Sequence, residues 1–360
     1  VLDNLLNHAL ACKTAHVTNR NERGAGMAAD IAEQPDVYAT LLEPAHITAI
    51  ERVAKAVIEH KPQHVVFTAR GTSDHAALYG TYLSEIRLNL AAGLASPSAI
   101  TVFGARPDLS HALVVGVSQS GGSPDLTEVL RVARESGALT LAVTNNPEST
   151  LVQTAELSID VSAGHERAVA ATKTYTAELF ALLLLIEGIK NGGSVPVKEF
   201  AEIPALARQT LESNDATAQA QRYRFARSMV TTGRGYSYPS AREAALKLME
   251  TSYLPALAFS GADLLHGPLA MTDPDVPVLA FVNSGRGGEA MKPVLERLHD
   301  QRADVVTVGP GGALAVPSVD ERFSPLLEIL PLQQLALSLA LAKGEDPDAP
   351  RGLKKVTATM

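Results

Sequence analysis

The sequence has no tryptophan, and aromatic residues make up only 4% of its 360 positions. So sparse a set cannot supply the stacking surface on which single-stranded nucleic acid is held. Positive charge is also short, with 31 Lys and Arg against 39 Asp and Glu and a net charge of −8. Duplex binding needs a basic face, so no nucleic-acid partner is expected. A phosphorylated metabolite is not excluded, because local dipoles and hydroxyls decide that affinity. Cys12 is the only cysteine, which rules out an intrachain disulfide and a cysteine-rich zinc site. The histidines show no metal-ligand spacing, so neither a metal nor another cofactor is expected. No apolar run reaches the roughly 18 residues of a membrane span. The most apolar stretch, LFALLLLIEGI (Leu179 to Ile189), reads as a buried helix. A secretory pattern is lacking at the N-terminus, so the expectation is a cytoplasmic protein with no membrane partner.

What is present is apolar content for a large core, 46% of residues, and length enough for two domains. Strands and helices alternate. HVVFTAR (64–70), ALVVGVS (112–118), LTLAVTN (139–145) and ELSIDV (156–161) read as strands. GTSDHAALYGTYLSEIRL (71–88), PDLTEVLRVARESG (124–137) and residues 172–189 read as helices. Strands this uniformly apolar fit a parallel sheet covered on both faces, hence an α/β doubly wound fold. The order then recurs. RSMVTTGRGYSYPSAREAALKLMET repeats the strand, Arg-Gly, Ser, helix sequence of the first unit, and Gly235 follows Gly71 by 164 residues. Val294 follows Val129 by 165 in a second matching pair of segments. The steady offset predicts two tandem domains made by internal duplication; two unrelated βαβ units of similar size are the alternative. A linker is expected near 191–221, ending in SNDATAQAQ. Residues 1–26 lack periodicity and read as a loosely ordered extension, whereas Met27 opens a helical pattern, MAADIAEQPDVYATLL. A chain starting at Met27 is expected to keep full activity.

Ligands of open parallel sheets bind beyond the carboxyl ends of the strands. Two hydroxyl-rich loops fall there: Gly71-Thr72-Ser73, and SQSGGS from Ser118 to Ser123. Each leads into a helix whose first N–H groups lack partners. Glycine lets an oxygen-rich ligand approach the backbone, and Ser or Thr adds donors, so the pair resembles a phosphate cradle without a lysine. Neither the P-loop signature nor G-x-G-x-x-G occurs, which disfavours nucleotide cofactors. Simple helix capping is the plainer explanation. One cap needs one hydroxyl, and five or more in two neighbouring loops exceed that need.

In this order, GTS, SQSGGS, TNNPEST and ERAVAATKTYTAEL resemble the sugar isomerase (SIS) family. EAALKLMETSYLPALAFSGADLLHGPLAM and DPDAPRGLKKVT extend the likeness from Met27 to Met360. Within the family it is most similar to the isomerase half of glutamine–fructose-6-phosphate amidotransferase and to free-standing SIS-type glucosamine-6-phosphate deaminases. The resemblance implies two SIS domains, over 46–205 and 206–345. A lead-in over 1–45 and an active-site tail over 346–360 flank them. It implies that Thr72, Ser73, Ser118, Gln119, Ser120 and Ser123 hold a hexose or hexosamine 6-phosphate, with Val169 as a backbone contact. Glu250 falls on the base that moves a proton between C1 and C2, and Lys247 on a nearby lysine. His266 falls on the ring-opening histidine, which in the family reaches the partner subunit's site, so a homodimer is implied. Lys355 falls on the C-terminal lysine that closes over the open-chain sugar. Gly122, Ala171, Asp263 and Leu265 stand where the family often has Glu, Ser, Glu and Lys, which bears on substrate choice.

The residues themselves suit this chemistry. Aldose–ketose interconversion needs a base beside a carbonyl, a group to open the ring and a partner for the developing oxyanion. Lys247 and Glu250, three apart, share one helix face, as a plain surface ion pair also would. Glu243 precedes Lys247 by four and either positions it or contacts the sugar. His266 lies in a turn before Gly267-Pro268, and Lys355 lies in a tail that reads otherwise as solvated. No glutaminase domain is expected among the residues before Met27, and so no internal supply of ammonia. The expected reaction is therefore conversion of glucosamine 6-phosphate to fructose 6-phosphate and ammonia. The alternatives are another SIS phosphosugar enzyme (a deglycase, an isomerase or an ammonia-dependent synthase) and a sugar-phosphate sensor without catalysis.

Overall fold

The computed structural model describes residues 23–353 and residue 355. Two five-stranded sheets, each wholly parallel, form the frame. The first holds β1 (His64–Thr68), β2 (Ala91–Leu94), β3 (Ala112–Ser118), β4 (Leu139–Thr144) and β5 (Leu157–Asp160) in the order β2-β1-β3-β4-β5. The second holds β6 (Met229–Gly233), β7 (Ala256–Ser260), β8 (Val278–Phe281), β9 (Val305–Gly309) and β10 (Leu314–Ala315). Its order, β7-β6-β8-β9-β10 read from the β7 edge, repeats the first. The registers repeat as well. Val65 pairs with Leu113 and Val230 with Val278, and both members shift by 165. Two sheets with one strand order and one register support the duplication predicted from the sequence.

The central strands are buried along their length, which is why they read as uninterrupted apolar runs. The edge strands β2 and β7 are short and half-exposed, and sequence reading does not find them. The expected linker also differs. Ala216–Tyr223, which begins inside SNDATAQAQ and runs two residues past it, is a helix, because Asp215 caps it by accepting from the Ala218 N–H at 3.0 Å. It packs on the Ser324–Ala342 helix.

Helix Lys173–Lys190 is buried on nearly every face, as expected for so apolar a stretch. Its counterpart, Ser324–Ala342, was not anticipated as an apolar run. The segment Glu321–Ala342 is long and apolar enough to cross a membrane by length and composition, yet 72% of its apolar window is buried within the protein. These helices join one core that runs through both sheets, while two smaller clusters lie on the outer faces. The N-terminal segment departs from expectation too. Among the described residues its first helix is Ala25–Ala32, beginning before Met27, and a second, Gln34–Leu41, starts at Pro35's turn. The Gly24, Gly26 and Met27 N–H groups donate to Asp346 and Asp348, so residues 24–26 are held rather than loose. The rest of the supposed extension lies outside the described residues.

Candidate active site

In the first sheet β1 and β3 are neighbours from which the chain moves in opposite directions, the switch point where such sheets bind ligands. Gly71 ends β1 with φ of 58°, turning the chain into helix Thr72–Leu88. Beyond β3, the Ser118–Ser123 loop folds on itself. Ser118 Oγ accepts from the Gly121 N–H at 3.2 Å, and Ser120 Oγ from the Gly122 N–H at 3.3 Å. Gly121 has φ of 59°, and a Cβ there would lie 2.1 Å from Ser149 Oγ, so only glycine fits. Helix Pro124–Glu135 starts next.

Between these loops lies a cavity of about 280 Å³. Thr72, Ser73, Ser118, Gln119, Ser120, Ser123, Val169, Glu250 and Lys355 all line it. Three of the residues singled out by sequence do not. Lys247 and Glu243 lie behind the wall, on helix Ser237–Ser252, and His266 is exposed at the end of helix Gly261–Leu265. Ser73 lines the cavity, but its hydroxyl donates to buried Glu178 at 2.9 Å.

Behind the cavity the two domains share a hydrogen-bonded network. Lys247, 1% exposed, donates to Thr72 Oγ1 at 3.0 Å, to Glu250, and sits 3.3 Å from Glu243. Glu243, fully buried, accepts from Thr72 at 3.1 Å and pairs with His75 Nδ1 at 2.7 Å. Burial alone would pull the Lys247 ammonium down, but Glu243 and Glu250 outweigh it and hold its pKa above the ordinary value. The lysine is therefore a fixed cation that orients Glu250 at the cavity wall. Glu250 remains partly open, its side chain 23% exposed.

Three further groups position the site and escaped the sequence. Glu166 accepts from the backbone N–H groups of Lys173 and Thr174 at the start of helix Lys173–Lys190, and from Gln119 Nε2 at 2.9 Å. Asp30 accepts from the Arg167 and Ala168 N–H groups and from the Arg167 guanidinium, fixing the loop that carries Val169. Lys173, 2% exposed, pairs with Asp30 and Glu33. None of these contacts lies at a capping spacing, so no local signal announces them. The Lys355 ammonium donates to the Ala168 carbonyl. Burial lowers its pKa, the carboxylates of Glu166 and Asp30 oppose that, and the cations of Lys247 and Lys173 add to it; the net shift is downward.

The second domain closes the equivalent place. Asn283 holds the register position of Ser118, and Glu321 Oε2 accepts from the Gly287 N–H at 2.9 Å. A protein carboxylate thus occupies one backbone donor of that loop, and the Asn283 side chain takes the Gly288 N–H.

The sequence pattern of the SIS domain matches residues 58–188 and 223–308, one segment over each sheet. The chain belongs to the SIS domain family. A glutamine–fructose-6-phosphate aminotransferase (isomerizing) from Thermococcus kodakarensis is 34% identical over 349 residues, covering 91% of this chain and 57% of that protein. The SIS chain spans about half the length of the curated relatives it matches. The C-terminal domain of glucosamine–fructose-6-phosphate aminotransferase from Francisella tularensis superposes with a TM-score of 0.81 at 26% identity, covering 92% and 99% of the two chains. Glucosamine-6-phosphate deaminase from Thermotoga maritima shares the fold with a TM-score of 0.77 at 24% identity, covering 93% and 100%. The SIS chain is thus related to phosphosugar isomerase and aminotransferase enzymes.

Proposed function

We propose that this SIS chain moves a proton between C1 and C2 of an open-chain hexose 6-phosphate. The observation that carries the reading is the placement of Glu250 on the wall of the cavity into which the hydroxyl loop opens. Ser118, Gln119, Ser120 and Ser123 hold the phosphate, with Thr72 and Val169 along the sugar. Glu250 takes the proton, and the cation of Lys247 keeps the carboxylate oriented. Lys355 stands ready beside the carbonyl end. Its depressed pKa leaves more of the neutral amine, the form that attacks a carbonyl.

Glucosamine 6-phosphate and fructose 6-phosphate are the proposed substrate pair, since the relatives above 30% identity are named for fructose 6-phosphate amination with isomerisation. Deamination is the narrower form: ring opening by His266, proton transfer through Glu250, hydrolysis of the imine at C2. The broader isomerase reading is the better supported, because the deaminase neighbour at 24% identity speaks for the fold alone. His266 is exposed and outside its own chain's cavity, which fits delivery to a second copy in a homodimer.

The test is an ammonia and product assay with glucosamine 6-phosphate, galactosamine 6-phosphate, a fructosamine 6-phosphate and fructose 6-phosphate, run in deuterated water. Ammonia with fructose 6-phosphate from the first alone establishes the deaminase. Deuterium at C1 or C2 of a hexose phosphate without ammonia establishes the isomerase. Neither, alongside thermal stabilisation by a hexose phosphate, refutes catalysis and leaves a sensor.

A further inference from the structure

Helices Thr72–Leu88 and Ser237–Ser252 hold equivalent places in the two domains and end alike. Asn89 and Tyr253, 164 residues apart, follow them with φ of 53° and 51°. Their N–H groups return to the Ser84 and Leu248 carbonyls, again 164 apart. Asparagine takes this left-handed conformation readily, whereas a bulky aromatic does not. Positive φ alone marks no role, since Lys61 and Arg302 adopt it too. Tyr253 differs in what its side chain touches. The Arg351 guanidinium lies 3.8 Å from the centre of its ring. The Arg351 backbone N–H donates to Tyr253 Oη at 2.7 Å.

One tyrosine therefore grips one residue of the C-terminal segment by main chain and side chain together. Its own position is telling at both ends. Tyr253 stands three residues beyond Glu250, and Arg351 four residues before Lys355, while Leu353 and Lys355 line the cavity. We propose that Tyr253 is a positioning residue that latches residues 351–353 and Lys355 over the cavity and sets the spacing between Lys355 and Glu250. Backbone strain at the helix end is kept there because the ring is needed, in the place where the first domain uses asparagine. Tyr253 does not line the cavity; it acts through Arg351. The effect on turnover rests on the proposed function, but the latch can be read without any substrate.

The full chain is compared with Tyr253→Gly, Tyr253→Phe, Arg351→Ala and the Gly/Ala double variant, by amide hydrogen exchange over residues 346–353 and by melting temperature. Tyr253→Gly suits the backbone turn, so its melting temperature should not fall, yet exchange in the segment should rise about tenfold. Arg351→Ala loses the guanidinium but keeps the backbone N–H to Tyr253 Oη, so it should raise exchange less, as should Tyr253→Phe, and the double variant no more than Tyr253→Gly. With an active substrate, KM or kcat should worsen in Tyr253→Gly while the fold is as stable as the parent. Unchanged exchange in Arg351→Ala overturns the latch even where Tyr253→Gly cannot be purified. Faster exchange in a chain that turns over no hexose phosphate supports the latch and counts against the proposed reaction instead.

Discussion

Lys247 stands between Glu243 and Glu250 with no water-facing surface to speak of. Replacing it with Met would break a buried pair and leave Glu243 only His75 and Thr72 as partners, and breaking such pairs costs about 3–5 kcal/mol. Lys247→Met should therefore melt well below the parent, and adding Glu243→Gln should restore part of the stability without restoring turnover. Equal melting of the single variant and the parent would show that the lysine is not integral to the wall. Glu250→Gln is the cleaner probe of chemistry, because its side chain is already partly open. It should lower kcat by about 100- to 10,000-fold and leave hexose phosphate binding near the parent value. Unchanged turnover would remove Glu250 from the role of base. Glu250 and Lys247 were legible through the family resemblance, since their three-residue spacing alone also fits a plain surface ion pair. His75, Glu166 and Asp30 were not, since each acts through contacts between residues distant along the chain or through backbone donors. Glu243 was visible, but only the structure puts it behind Thr72.

The Ser118–Ser123 loop depends on a backbone that one added methyl would break. Gly121→Ala places a Cβ at φ of 59° and against Ser149, so it should abolish stabilisation by a hexose phosphate and lower the melting temperature. Retained ligand stabilisation would mean that the loop is not the cradle. Glu328, buried on helix Ser324–Ala342, gives a pH test at the same scale. Burial pushes its carboxyl from 4.5 up to about 7, against the nearby Ser240 hydroxyl and the hydrogen bond from Ser237 at 2.9 Å. Between those values the folded chain keeps a proton that the unfolded chain has lost, so this contribution is complete below pH 4.5 and is lost as pH rises through 7. Glu328→Gln should match the parent near pH 4.5 and exceed it above pH 7, by about 3 kcal/mol at most. A parallel pH profile for both proteins would refute the assignment. Secondary structure was legible where burial is continuous, as in β3 and helix Lys173–Lys190. It was lost at the half-exposed edges β2 and β7, and at Ala216–Tyr223, where a polar composition hid an Asp cap.

The duplication was readable at the largest scale because two units of like size keep one offset through strands and helices alike. The difference between the two loops was not readable, because Glu321 takes the Gly287 N–H of the second from 34 residues along the chain. If His266 serves a second copy, mixing His266→Ala with Glu250→Gln should recover activity once subunits exchange; no recovery after proven exchange would place the histidine elsewhere. The hydrophobic core has a consequence of another kind. Its main cluster includes side chains from both repeats, with Phe67 and Leu113 of one and Leu279 and Val308 of the other in a single body. Repeats with separate cores would melt in two steps, as weakly docked domains do. A core held in common leaves neither repeat a stable partial state, so heating should give one calorimetric peak whose measured and van't Hoff enthalpies agree. The halves that look alike on paper would then stand or fall as a single cooperative unit.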